Sequence, residues 1–252
     1  FAHRGYHAEL PENTLARGRV GATASFKPMQ DHTRSFPLIK YQRQPYVQID
    51  VVGGFTAFAG SCIYNGGAWP AKYEGAHFAG EPTINIVHQD LIQPAGVTYT
   101  ATRDRQEEFI AGMDAWFRPI HTRVGPDGGL YIIDFYNQAV VHNDTRGPRH
   151  GAGNAAVRPD RDHRMGRIWR VQHREAKKLE QPALTRHKPA DLVKALEHPN
   201  QFFRMLAHRM LSEMPDESAV RALLATAESD KLAVTRIHAL WILSGLGRLS
   251  PD

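Results

Sequence analysis

The stretch Gly125-Pro126-Asp127-Gly128-Gly129-Leu130-Tyr131-Ile132-Ile133-Asp134 decides the fold of the first part of the chain. Its proline stands where a type I turn fixes φ, and its glycines stand where φ must become positive. Residues 130–134 then favour a strand, because β-branched and aromatic side chains fit a pleated sheet. We therefore predict a hairpin corner leading into a strand, rather than a cation-binding loop, which would need more carboxylates at alternate positions.

Similar short runs, bounded by Gly, Pro, Asn or Asp, recur before residue 175. They lie at residues 46–52, 84–88, 97–101 and 167–171. Each run is four to eight residues long and rich in β-favouring side chains, as expected for strands. The first part of the chain is therefore predicted to be mostly strands.

After residue 177 the apolar residues recur at spacings of three and four, which predicts four helices. The pattern Arg204-x-x-Ala207-x-x-x-Leu211-Ser212 also returns 32 residues later as Arg236-x-x-Ala239-x-x-x-Leu243-Ser244. This repeat resembles the HEAT family of paired helices. We expect a linker at 175–188 and HEAT-like helical repeats, a short α-solenoid, at 189–252.

Composition narrows the class of protein. The chain has 252 residues, of which 42% are hydrophobic and 23% are charged, and this balance excludes disorder and collagen-like repeats. No apolar run approaches the roughly 18 residues that a membrane span requires. One cysteine excludes an internal disulfide and a covalent Cys-x-x-Cys-His haem site. Because the chain opens on Phe1 and stops just after an apolar helical pattern, we interpret it as a fragment.

The positive charge is concentrated between His142 and Arg174, where eight arginines face three aspartates and no lysine occurs. Arginine favours forked pairing with carboxylates or phosphates. We favour ion pairs within the domain over an anion site. No nucleic-acid partner is predicted, since no aromatic residue accompanies this charge before Trp169.

Three polar clusters interrupt the strands. The first contains Glu81, Asn85 and His88. We interpret it either as a hydrogen-bonded turn or as a site in which His88 accepts a proton and Glu81 orients His88. In the second, Arg118 forms a buried ion pair or holds an anionic substrate, and Asn137 lies at its end. The third is a long glycine-rich connection, a kind of segment that often carries function. It contains His142, Asn143, Arg161 and His163.

A family resemblance covers about residues 55–247. Its motifs are Gly80-Glu81-Pro82, Asn85-x-Val87-His88, Gly96-Val97-Thr98-Tyr99-Thr100, Glu108-Phe109, Trp116-Phe117-Arg118-Pro119, Gly125-Pro126-Asp127-Gly128-Gly129-Leu130-Tyr131, Asp134-Phe135-Tyr136, Arg161-Asp162-His163 and Gly166-Arg167-Ile168-Trp169-Arg170-Val171. In this order they resemble the planctomycete-type membrane-bound dehydrogenase family, in which a sugar-dehydrogenase-like β-propeller precedes HEAT-type repeats and often a c-type cytochrome domain.

The resemblance implies a β plus α fold, with a partial antiparallel β-propeller at residues 1–174. At roughly 40 to 45 residues per blade this part holds about four blades or fewer, so further blades would lie upstream. The implied function is a periplasmic or otherwise extracytoplasmic oxidoreductase. It passes electrons from a carbohydrate-like small molecule towards an electron-acceptor domain, and haem c would lie in that missing domain. Pyrroloquinoline quinone or calcium is the implied cofactor.

Site roles follow from the same hypothesis. His88 and His142 are the candidate catalytic residues. The candidate substrate- or cofactor-binding residues are Glu81, Asn85, Arg118, Asn137, Asn143, Arg161 and His163.

Two alternatives stay open. One is a non-catalytic propeller and HEAT scaffold that binds proteins or glycans, in which the polar clusters would be dispersed over the surface. The other begins from His3-Arg4-Gly5 and Glu12, which resemble the opening signature of glycerophosphodiester phosphodiesterases. That family's Glu-x-Asp strand is replaced here by Gln48-Ile49-Asp50, so we interpret the match as a coincidence or a remnant.

Overall fold

The computed structural model describes residues 3–4, 27–28, 34–39, 55, 58–96, 98–137, 164–213 and 216–249. The chain divides into two compact units. Unit 1 comprises Phe1–Tyr64, Gly75–Arg123 and Tyr131–Val171, and unit 2 comprises Asn65–Glu74, Val124–Leu130 and Gln172–Asp252. Within the described residues, no helix is both long enough and apolar enough to cross a membrane.

Unit 1 contains a two-stranded and a five-stranded sheet. In the first, β1 (His3–Arg4) pairs antiparallel with β2 (Lys27–Pro28). In the second, neighbouring strands run antiparallel in the order β3 (Ala59–Ile63), β4 (His77–Glu81), β5 (Ile86–Ala95) and β6 (Thr98–Thr102). A short strand, β7 (Ile110–Ala111), pairs with β5.

A three-stranded sheet has the order β10-β9-β8 and consists of β8 (Pro119–Val124), β9 (Leu130–Asp134) and β10 (Arg167–Val171). The predicted bounds of β9 and β10 are confirmed. The predicted hairpin corner is confirmed as well, since the Gly125 amide donates to the Gly129 carbonyl at 2.9 Å. Gly128 has a φ of +74°, which glycine adopts at no steric cost.

The predicted partial propeller is wrong for the described residues, which form open sheets of five, three and two strands rather than repeated four-stranded blades. The long strand β5 shows the reason. Its residues 86–90 pair with β4, its residues 91–95 pair with β6, and β7 pairs with its first two residues. Local strand signals predict hairpins correctly, but they do not determine how sheets continue beyond them.

The middle of the five-stranded sheet is covered on both faces. Residues 78–81 of β4 and 86–90 of β5 are all buried. The strand predicted at 84–88 starts later, at Ile86, because Asn85 has a φ of 59° and belongs to the preceding turn. Three polar residues, His88, Gln89 and Asp90, are therefore carried into the interior and need partners there.

A bulge between Ala59 and Cys62 places Gly60 at a φ of +52°. A Cβ atom at Gly60 would overlap the backbone of His121. We expect Gly60→Ala to lower the free energy of unfolding by about 2–3 kcal/mol, through left-handed strain and overpacking together. Gly75→Ala is the control, because Gly75 has a φ of +81° but no atom within 4 Å of the added Cβ.

Urea unfolding should show a loss of only about 1 kcal/mol for the Gly75 variant. Equal losses in the two variants would contradict the close approach at Gly60.

The described residues of unit 2 form four α-helices, as predicted: α1 (Pro189–Ala195), α2 (Gln201–Ser212), α3 (Glu217–Ser229) and α4 (Ala233–Gly245). Two of them begin at side-chain caps. The Asn200 side chain accepts from the Phe202 amide, and the Asp216 side chain accepts from the Ser218 and Ala219 amides.

The predicted HEAT-like solenoid is wrong. In a solenoid each repeat contacts only its neighbours, and three or more repeats stack. Here the four described helices share one core, and α2 and α3 each contact both α1 and α4. That core consists of Leu192, Ala195, Leu196, Ala207, Leu211, Ala219, Val220, Leu223, Ala239, Ile242 and Leu243.

The 32-residue repeat nevertheless has a counterpart in the contacts. The Arg204 Nη1 donates to the carbonyl of His198 at 2.7 Å, and the Arg236 Nη1 donates to the carbonyl of Asp230 at 2.5 Å. Each arginine thus reaches back six residues to the loop before its own helix. The repeated arginine holds the entry of α2 and α4 in the same way.

Candidate functional site

The strongest cluster of titratable groups in the described part of unit 1 surrounds His88 in β5. The residue is 1% exposed. Its Nδ1 lies 2.7 Å from Glu108 Oε2, and its Nε2 lies 2.9 Å from Asp90 Oδ1. Because a carboxylate oxygen faces each ring nitrogen, both nitrogens donate, and this is the arrangement of an imidazolium.

The electrostatics agree with this charge state. Burial alone would lower the pKa of His88, but hydrogen bonds to Asp90 and Glu108 outweigh it, so the pKa is raised. Burial would raise the pKa of Glu108, and the hydrogen bond from His88 helps to bring it below its usual value. The second oxygen of Glu108 accepts from the Phe36 amide at 3.0 Å and from Arg103 Nη1 at 3.2 Å.

Aromatic rings close the cluster against water. The Phe55 and Phe58 rings lie 5.0 and 5.6 Å from the His88 ring. The Arg103 guanidinium lies over the Phe36 ring at 5.1 Å and over the Phe55 ring at 5.7 Å. Such an environment strengthens each ion pair and makes the loss of one partner costly.

The cluster continues to a more exposed histidine. His77, the first residue of β4, pairs with Asp90 across the sheet, and its Nδ1 lies 3.6 Å from Asp90 Oδ2. Its side chain is 15% exposed, against 2% for that of His88. Carboxylate and imidazole groups therefore alternate as Glu108, His88, Asp90 and His77, and we call this set the His88 relay.

The raised pKa of His88 and the lowered pKa of Glu108 predict how stability depends on pH. A raised histidine pKa gives stability below the unfolded value of 6.5, and this stability is lost as the pH rises through the folded pKa. A lowered glutamate pKa gives stability above 4.5, which is lost as the pH falls through the folded pKa. We expect the interaction of His88 with Glu108 to stabilise the folded chain most between about pH 4.5 and pH 6.5.

Urea unfolding at pH 5.5 and at pH 8.5 measures the effect. The stability difference between the wild type and His88→Gln should shrink at the higher pH. A difference that stays constant would contradict the raised pKa.

Of the predicted site residues, Asn85 is placed as a structural clasp. Its Nδ2 donates to the carbonyls of Ala115 at 3.2 Å and Asp114 at 3.4 Å, and also to that of Phe117. The backbone carbonyl of Asn85 in turn accepts from the Gly112 amide at 2.8 Å. Asn85 thus holds the turn before β5 against the segment that leads into β8.

Arg118 completes that clasp from the other side. It is 1% exposed. Its Nη1 donates to the carbonyls of Pro82 at 2.8 Å and Thr83 at 3.1 Å, and its Nε donates to that of Asn137 at 3.1 Å. The described hydrogen bonds of the guanidinium thus go to three backbone carbonyls, and the ion pair and the grip on substrate stay predictions.

Glu81 lies in the same region as Asn85 and Arg118, where its Oε1 accepts from the Thr83 amide at 3.1 Å. Glu81, Asn85, Arg118 and Asn137 are therefore brought together around the turn at 82–85. The ring partners of His88 are Asp90 and Glu108, not Glu81. The other predicted residues, His142, Asn143, Arg161 and His163, lie outside the described residues, as do the side chains of His3, Arg4 and Glu12.

A second polar cluster lies on the three-stranded sheet around Asp134. Its Oδ2 accepts from Arg167 Nε and from Trp169 Nε1, each at 3.0 Å. The Arg167 guanidinium lies 3.6 Å from the centre of the Tyr136 ring and 4.8 Å from that of Trp169. Asp114 carboxylate Oδ2 lies 3.4 Å from Arg167 Nη2 at the solvent edge. An exposed indole, guanidinium and carboxylate thus share one surface.

The sequence interpretation missed Asp90, Arg103 and His77 and gave Glu108 no role. The pair His88-x-Asp90 carried a usable signal, because residues two apart in a strand share one face. Glu108, Arg103 and His77 join the cluster from other segments of the chain, and no local pattern predicts their contacts.

Calcium, one of the two cofactors that the resemblance implies, finds no cluster of metal-ligating side chains in the described residues. Calcium needs six to eight oxygen ligands, and this part of the chain holds no group of three or more His, Cys, Asp or Glu that could bind a metal.

Comparison with known proteins gives a family without an assigned activity. The family model of the domain of unknown function DUF7133 matches residues 2–175. No curated protein and no solved structure matches the chain. The matched range takes in all of β1 to β10, and with them the His88 relay and the Asp134 cluster. The chain therefore belongs to the DUF7133 family.

Proposed function

We propose that this chain is part of an oxidoreductase that oxidises a hydroxyl group of a carbohydrate-like substrate, and that His77 accepts the hydroxyl proton. The observation that supports the proposal is the His88 relay. It leads from a buried carboxylate, Glu108, to the partly exposed imidazole of His77. Perturbed titratable groups that converge in this way are typical of functional sites.

His88 itself is a poor proton acceptor in this geometry, because both of its nitrogens already donate to carboxylates. Its positive charge instead fixes the position of Asp90. The second oxygen of Asp90 then orients His77 through Nδ1, which leaves Nε2 as the accepting atom. The separation of 3.6 Å is longer than a hydrogen bond, and catalytic contacts often tighten only when substrate binds.

A proton that arrives on His77 would be stabilised by the Asp90 carboxylate, as the third member of a catalytic triad stabilises its histidine. Oxidation of the hydroxyl also removes a hydride from the carbon. A two-electron acceptor of the quinone class, the kind of cofactor that the resemblance implies, takes up that hydride, and the described residues contribute the proton acceptor. The electron-acceptor domain and the extracytoplasmic location stay predictions from the resemblance.

Dye-linked oxidation of a panel of sugars by the natural protein that carries this chain tests the proposal. Replacing His77 or Asp90 by asparagine should lower kcat/KM by about 10²–10⁴-fold, the usual contribution of a positioned base. His187→Asn is the control, because His187 is exposed and lies in unit 2. The activity of this variant should not change. Full activity in a folded His77→Asn protein would exclude His77 as the acceptor.

A second candidate is binding of a carbohydrate-like ligand without chemistry, and the Asp134 cluster favours it. Trp169 is 44% exposed, and the Asp114 and Arg167 side chains beside it are 46% and 37% exposed. An exposed indole with a neighbouring carboxylate and guanidinium offers an apolar face together with hydrogen-bond partners for hydroxyl groups.

Calorimetric titration with oligosaccharides separates the two candidates. Binding that is lost in Trp169→Ala, kept in the neighbouring control Ile168→Ala and accompanied by no dye reduction would favour the binding domain. Dye reduction that depends on His77 would favour the oxidoreductase.

A further inference from the structure

Two histidines of unit 2 connect a pair of helices. His208 lies in α2 and His238 lies in α4, and both are half-buried. Their Nδ1 atoms are hydrogen-bonded to each other at 3.0 Å, with the ring planes inclined at 68°. The bond joins residues that are 30 positions apart in the sequence, so it is a tertiary link between the two helices.

This hydrogen bond depends on the protonation of the rings. One Nδ1 donates its proton and the other accepts with its lone pair, so at least one of the two rings has to be neutral. When both rings are protonated, each Nδ1 carries a proton and neither can accept. The bond is then replaced by the repulsion of two like charges, which water screens less at a half-buried position than at an exposed one.

The surroundings of the pair disfavour its positive charge. Burial lowers the pKa of His208. Burial, together with the charges of His208 and Arg204, lowers the pKa of His238 to about 4. Glu74 interacts in turn with Arg204. Among the described residues, no charge on α1 or α3 contributes to either lowered pKa.

We propose that the hydrogen bond between His208 and His238 is an acid-sensitive latch, which holds α4 against α2 at neutral pH and opens when both rings are protonated. The sequence neighbours of the two histidines, Ala207 and Ala239, belong to the core that the four described helices share. Opening of the latch therefore loosens that core. The latch lies in unit 2 and does not depend on the oxidoreductase proposed above.

The direction of the pH dependence follows from linkage. A histidine pKa that folding lowers gives stability above the unfolded value of 6.5, and this stability is lost as the pH falls towards the folded pKa. The latch should therefore open between pH 6.5 and about pH 4. His88 has the opposite dependence, because its raised pKa gives stability below 6.5.

Urea unfolding of the full chain at pH 7 and at pH 5 tests the latch. Between these values the unfolding equilibrium constant of the wild type should rise by about tenfold or more relative to that of the double variant His208→Gln/His238→Gln. His187→Gln is the control and should keep the wild-type dependence, because His187 is exposed and lies outside the pair. The same pH dependence in the wild type and in the double variant would overturn the proposal.

If the double variant does not fold, NMR of the wild type decides. The ring signals of His208 and His238 should shift only at a pH below the ordinary histidine range, and the close contact between the two rings should be lost with that shift. Titration of both rings near pH 6.5, or a ring contact that persists after both rings are protonated, would overturn the latch.

Discussion

Replacing Glu108 by glutamine is expected to lower the free energy of unfolding of the chain by about 3–5 kcal/mol, the usual cost of removing one partner from a buried ion pair. Glutamine keeps the volume of the side chain and removes only its charge. The His88 imidazolium then keeps a single carboxylate, Asp90, and Arg103 loses a carboxylate at 3.2 Å. The Glu108 side chain is fully buried, so water cannot replace what is lost.

The adjacent residue supplies a matched control. Glu107 pairs with Arg105 at 3.7 Å, but its side chain is 73% exposed. Glu107→Gln should therefore cost no more than about 0.5 kcal/mol. Urea unfolding followed by tryptophan fluorescence measures both variants, and a loss at Glu108 as small as that at Glu107 would contradict the buried network.

Replacing Arg118 by methionine is expected to cost at least about 3 kcal/mol, because it leaves buried carbonyls without a donor, at about 1–3 kcal/mol for each group. Methionine keeps most of the apolar stem, so the change isolates the guanidinium. The carbonyls affected are those of Pro82, Thr83 and Asn137. Loss of the clasp should also loosen the turn before β5 and thereby the position of His88.

Arg123→Met is the control for this prediction. Arg123 is exposed, and among the described hydrogen bonds its Nε contacts only the ring of the half-buried His121. Its replacement should change stability by no more than about 0.5 kcal/mol. If Arg118→Met unfolds at the same urea concentration as this control, the guanidinium does not hold the turn.

Local patterns predicted much of the fold. The strands at 130–134 and 167–171, the glycine corner between β8 and β9 and the four helices follow from signals within a few residues of each element. The arrangement of these elements does not follow in the same way. β5 pairs with three different strands, and the four helices share one core, so both larger architectures expected from the sequence were wrong.

The candidate site was likewise predicted only where the signal is local in the sequence. His88 was identified from its position in a polar cluster, and Asp90 lies on the same strand face two residues later. Glu108 reaches His88 from 20 residues away, and the Phe36 amide reaches Glu108 from 72 residues away. Such contacts depend on tertiary pairing, which residue spacing does not encode. Arg118 was singled out as a candidate from the sequence, but its contacts with backbone carbonyls came only from the structure.

His88 is held as an imidazolium between two carboxylates, those of Glu108 and Asp90. Nitrogen NMR of the histidine rings in the folded chain measures this state directly at pH 7. We expect both nitrogens of His88 to carry protons, and their signals to change only at a pH above the ordinary histidine range. A His88 ring with one unprotonated nitrogen at pH 7 would contradict the relay and the function proposed from it.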